Sequence, residues 1–226
     1  MRVARRVSRC GPPTHRANMM RKGAAAMTIK PTDVLEALCY EYAKLIADAA
    51  VGGRTRLTPH PRKEKRYWHF VIMTYRKLIA GKILPSSLLR ENKLLLSNDQ
   101  QCEYCGAQGT LHWEHLIPKS RGGPDTIDNL VLSCATCNLQ KGPLNPVDWY
   151  FKRGLDRRHI PRLVMGKCLK LVWEEHRRRG TLRDREFPAG HGLSTAQLFH
   201  VFELPDNVPQ TPPNLSTSVP LPPTPH

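Results

Sequence analysis

Within the stretch Trp113-Glu-His-Leu-Ile-Pro and the later Cys134-Ala-Thr-Cys-Asn, three side chains have the chemistry that phosphodiester hydrolysis requires. That reaction needs an activated water, a neutralised pentavalent phosphate and a stabilised leaving oxygen. His115 is the group whose ordinary pKa suits a base near neutrality, so it would take the proton of the water. Glu114 and Asn138 carry hard oxygen donors, which suit Mg²⁺ or Mn²⁺ better than zinc. Lys119, Arg121 and Lys141 are the nearest basic groups and could hold phosphates.

Around these residues lie Cys102-x2-Cys105 and Cys134-x2-Cys137, with 28 residues between the pairs. Each short spacing lets both thiolates of a pair reach one ion, and four thiolates close a tetrahedral structural zinc site. Such a site has no open position, so it would hold the fold and stand outside the reaction. The gap between the pairs leaves room for a hairpin. The order within it is a strand over Thr110–Ile117 ended by Pro118, a Gly/Pro loop, a strand over Leu130–Ser133, and a short helix from Ala135 to Lys141 stopped by Gly142-Pro143.

With Asn129-Leu-Val-Leu-x-Cys-x-x-Cys-Asn-x-x-Lys, the Gly-Gly-x-Asp approach to Asn129, and separations of 14 and 23 residues from His115 to Asn129 and Asn138, this stretch resembles an HNH endonuclease stapled by a four-cysteine zinc. The resemblance covers about a fifth of the chain. Two letters depart from the commoner pattern: Glu114 stands where Asp is commoner, and Asn138 where the name of the family has His. The resemblance implies a ββα-metal fold and cleavage of DNA to 5′-phosphate and 3′-hydroxyl ends. It also implies that Asn129 touches no metal and instead braces the loop, orienting His115. One geometric requirement follows. Neighbours on a regular strand face opposite sides, so Glu114 and His115 share one site only if the pleat breaks near Pro118. His112, on the face of Glu114, reads as an ordinary strand histidine.

The flanks must position this centre. Asp33 and Glu36 stand in capping-box spacing, and Val34, Leu35, Leu38, Tyr42, Leu45, Ile46 and Ala49 recur at helical intervals until Gly52-Gly53. A basic loop containing Pro59 and Pro61 precedes a second helical stripe from Tyr67 to Leu84, and a short helix is expected after Ser86-Ser87. Beyond the centre, Pro161 opens a stripe of Val164, Met165, Cys168, Leu169, Val172 and Trp173 that Gly180 closes. Cys39 and Cys168 fall on helices as buried small hydrophobes. From Phe187 onward, nine of forty residues are proline, which predicts a disordered tail.

The expected fold class is therefore α+β. It comprises a basic lead-in (1–27), a helical region (28–97), the HNH core (98–148), a basic helical region (149–186) and the tail (187–226). Lys and Arg number 35 against 19 acids, a net charge of +16, which draws the chain to polyanions. The excess is uneven: residues 151–185 hold twelve basic and four acidic side chains, whereas residues 98–150 hold three and six. Affinity for double-stranded DNA would then come from the flanks, and the acidic centre would suit a cation. No run of 18 apolar residues is present, so no membrane partner is expected. Cysteines in metal spacing favour a reducing, cytoplasmic setting. The competing readings are a zinc-dependent nucleic-acid-binding module without catalysis and a scaffold built on the zinc knuckles.

Overall fold

The computed structural model describes residues 29–51, 61–84, 100–185 and 193–204, with the side chains of 61–64 outside that description. The lead-in, the short helix after Ser86-Ser87 and the chain beyond Leu204 lie outside the described residues. Among the described residues the fold is α+β: helices accompany one two-stranded antiparallel sheet.

Helix α1 spans Val34–Ala50. Asp33 caps it, accepting from Glu36 N at 2.8 Å, and Glu36 Oε2 accepts in return from Thr32 N, one residue earlier than a strict capping box requires. Its first two amides donate to Asp184 O and Leu182 O, so a segment far along the chain satisfies donors that a helix start leaves open. Helix α2 spans Pro61–Ile79. It starts a turn and a half earlier than the apolar stripe at Tyr67 indicates. Proline is favoured at a first helical position because its missing N–H has no partner to lose there.

Strands β1 (Leu111–His115) and β2 (Leu130–Cys134) pair in a register that sets Glu114 against Val131 and His115 against Leu130. Helix α3 (Ala135–Lys141) follows directly and packs on the ribbon. Helix α4 (Pro146–Lys152), which the sequence reading lacked, is capped by Asn145. Helix α5 spans Arg162–Arg179, and Gly180, at φ 72°, ends it in the left-handed conformation. Its apolar stripe (Val164, Met165, Cys168 and Val172) is fully buried and packs against α1.

The expectation of a tail disordered from Phe187 is corrected for residues 193–204. Ser194 and Gln197 form a capping box that starts α6 (Thr195–Leu198), and a 3-10 turn over Phe199–Glu203 continues it. Leu198, Phe199, Val201 and Phe202 are buried, with α6 packed on α1 and α4 and the 3-10 turn packed on α5. Proline content dominates the composition of this region, but four apolar side chains in five residues remove enough surface from water to order the segment.

Candidate functional site

The four thiols are gathered from two turns. The first is a knuckle in which Cys102 N donates to Ala107 O and Gly106 N to Cys102 O, with Gly106 at φ 74°. Glu103 N donates to Leu132 O, which docks this knuckle on β2. The second turn is the junction of β2 with α3. All four Sγ atoms lie within 4.8 Å of one another, and Cys105 and Cys134 are 3.8 Å apart. Thiolates about 2.3 Å from one zinc stand about 3.8 Å apart in a tetrahedron, so the cluster could hold such an ion. The hydrogen bond from Cys137 pushes the Cys102 thiol down, and the same bond pushes Cys137 up.

The pleat of β1 does not break. Glu114 and His115 point to opposite faces, and their surroundings differ accordingly. Glu114 is 5 % exposed. Tyr104 OH donates to its Oε2 at 2.7 Å, and Lys141 Nζ stands 2.5 Å from its Oε1. Lys141, itself 1 % exposed, also donates to His115 O at 2.9 Å. Burial first, and the Glu114 charge second, hold the Tyr104 hydroxyl well above its ordinary pKa, so it remains a donor. Lys141, one of the basic groups expected to hold phosphate, has its ammonium buried beneath β1 in this arrangement. The placement also bears on the ion expected between Glu114 and Asn138. Asn138 sits half-exposed on α3, but both Glu114 oxygens are engaged, so the two residues form no open oxygen site in this arrangement.

His115 faces the other way and is partly exposed. Its Nε2 lies 2.9 Å from Asp125 Oδ1, and Lys119 Nζ donates to Asp125 Oδ2 at 2.6 Å. Lys119, and then His115, hold the Asp125 carboxyl below its ordinary pKa. Asp125 is the site residue that the sequence reading did not assign a role. Its signal was the Gly-Gly-Pro-Asp turn, which returns the loop toward β1.

Asn129 is wholly buried and fixes that loop. Its Oδ1 accepts from Ile117 N, and its Nδ2 donates to Ile117 O and Pro124 O, all at 2.8–2.9 Å. The carboxamide thus pairs with Ile117 as a strand peptide would, continuing the ladder past Leu116 N, which donates to Asn129 O. Gly123 leaves no space at this point: a Cβ there would lie 1.9 Å from Ile117 O. Arg121, expected to meet phosphate, is paired with Glu203 and lies 3.5 Å from Asp148.

Residues 102–144 match the family described as HNH endonuclease. This segment is similar to HNH endonucleases. No curated protein and no solved structure matches the chain. The match spans both cysteine pairs, β1, the loop, β2 and α3, and it ends before α4. The match points to a nuclease or nucleic-acid-related function for this segment. No helix among the described residues is long and apolar enough to cross a membrane.

Proposed function

We infer that the chain is a DNA endonuclease of the HNH type in which His115 is the general base for attack of water on a phosphodiester. The observation that carries this reading is the His115–Asp125 contact. A partly exposed imidazole at the end of β1 has one ring nitrogen held by a carboxylate, which fixes ring orientation and stabilises the imidazolium formed as the proton is taken. Asn129 supports it by holding both ends of the intervening loop. Lys119, more than half exposed, is the basic group placed to meet a phosphate, and Arg121 reaches one only by leaving Glu203. The four cysteines hold a structural zinc ion. Double-stranded DNA is the substrate that the net charge of +16 favours.

Glu114 and Asn138 are the residues proposed to face a catalytic Mg²⁺ or Mn²⁺. In the arrangement seen, Lys141 and Tyr104 occupy the carboxylate, and an ion there would compete with the Lys141 ammonium for it. The closed state of Glu114 is also the observation that favours the second reading, a zinc-dependent nucleic-acid-binding module without catalysis. One experiment separates them. Supercoiled plasmid is incubated with the full chain and with His115→Ala, in EDTA, Mg²⁺ and Mn²⁺. The nuclease reading expects nicking in a metal arm and a loss of about 10²–10⁴-fold in His115→Ala. Salt-sensitive binding without cleavage in any arm establishes the second reading, and equal nicking by both proteins removes His115 as the base.

A further inference from the structure

The family match ends at residue 144, yet the loop that carries Lys119, Arg121 and Asp125 is held from beyond that point. Lys167, in the middle of α5, is 0 % exposed. Lysine is almost never fully buried unless its ammonium is hydrogen-bonded, because a charge removed from water needs replacement dipoles. Its Nζ donates to Ile127 O and to Leu130 O, each at 2.7 Å. These carbonyls bracket Asn129, the residue that clamps Ile117 and Pro124. Leu130 is also the register partner of His115. One buried ammonium thus fixes the turn opposite the imidazole and the side chain that shapes its loop.

A second contact holds the same loop from the C-terminal segment. Glu203 pairs with Arg121 in the 3-10 turn over Lys119–Arg121. At Gly122, φ is 79°, and a Cβ would lie 2.3 Å from Phe202 O, so the two backbones meet with no room for a side chain.

We propose that Lys167 and Glu203 are positioning residues of the HNH site, and that the C-terminal region is therefore part of the catalytic unit. Neither touches the reacting atoms. Both act by setting the 117–130 loop, and through it the Asp125 contact with His115. The kinetic half of the test rests on the nuclease reading, and the spectroscopic half does not.

Lys167→Met keeps the length of the stem and removes the ammonium; Glu203→Gln changes a partly exposed group and keeps its shape. Both are made in the full zinc-loaded chain, with zinc content checking that the cysteine site persists. In Lys167→Met, kcat is expected to fall about tenfold with KM within about twofold, and Glu203→Gln to show a smaller fall of the same kind. In both, the imidazole ¹⁵N signals of His115 shift while those of His69, on the exposed side of α2, do not. A residue whose variant folds with normal zinc but leaves the His115 signals and kcat unmoved has no positioning role, even if melting temperature drops. If Lys167→Met does not fold, Glu203→Gln decides the proposal in either direction. Wild-type protein that cleaves nothing overturns the nuclease reading, and the His115 spectra still report whether the C-terminal region sets the ring.

Discussion

Glu114 and His115 are neighbours in the chain and occupy opposite environments. At Glu114 the strand is sealed: a carboxylate, an ammonium and a phenol bond one another beneath it. The other face is open, with His115, Asp125 and Lys119 forming a row of partners that solvent and a substrate can reach. Strand alternation sets the two side chains on opposite faces, and the packing of Tyr104 and Lys141 seals the one at Glu114. The two faces should therefore fail in different ways. Damage to the sealed face should appear first in stability, and damage to the open face in rate.

The largest effect is expected from breaking the sealed pair on one side only. Lys141→Met leaves the buried Glu114 carboxylate without its counter-charge, a defect that costs about 3–5 kcal/mol. Replacing both partners, with Glu114→Gln added, should recover much of that loss, because the uncompensated buried charge is gone. Denaturant unfolding of the four proteins, zinc-loaded, gives the coupling directly. Simple addition of the two single-variant losses would show that Glu114 and Lys141 do not act as a pair. Cleavage by the double variant carries separate information: loss of activity with recovered stability would mean that Glu114 has a chemical task besides its structural one.

His176 extends the comparison to a second sealed group. It is wholly buried on α5, with Nε2 donating to Leu198 O at 3.2 Å and Nδ1 2.8 Å from Thr181 Oγ1. Burial lowers its pKa from 6.5 to about 4. The folded pKa lies below the unfolded one, so this contribution to stability is fully present above about pH 6.5 and is lost as pH falls toward 4. The total is about 3 kcal/mol at the lower end. Because cysteine-held zinc is also released by acid, the measurement is a difference: unfolding free energy against pH for the wild type and for His176→Gln, which can make the same two bonds without titrating. Parallel curves between pH 6.5 and 4 would remove His176 from the acid response.

The boundary between what the sequence discloses and what it does not follows the distance over which partners are found. Both cysteine pairs, the strands, α3, the face of α5 and its Gly180 stop are set by neighbours a few residues apart, and all are readable from spacing. The geometric requirement at Glu114-His115 was legible too, since it needs only the pleat. The partner of Glu114 was not: Lys141 lies 26 residues from His115, whose carbonyl it also holds, and a lysine ending a short exposed-looking helix gives no sign that it turns inward. Lys167 reaches across 37–40 residues to the carbonyls it bonds, and backbone carbonyls carry no residue identity to read. The ordering of 193–204 was readable in part. Ser194-x-x-Gln197 ahead of Leu198, Phe199, Val201 and Phe202 is a capping box before an apolar group, but the surrounding prolines masked it.

The smallest and most diagnostic change falls on the open face. Asp125→Asn keeps the shape of the side chain, and the site is exposed, so the fold should be unaffected. The neutral amide can still bond the ring, but it no longer stabilises an imidazolium, and it weakens the hold on Lys119. A fall of about tenfold in kcat is expected. Melting temperature and zinc content should match the wild type. Raised salt should weaken plasmid binding by wild type and variant alike, because most of the basic charge lies outside the HNH domain. If instead Asp125→Asn lowered affinity while leaving kcat intact, the carboxylate would be serving Lys119 and the substrate rather than His115. The open face would then be a binding surface, and the base would have to be oriented by the loop alone.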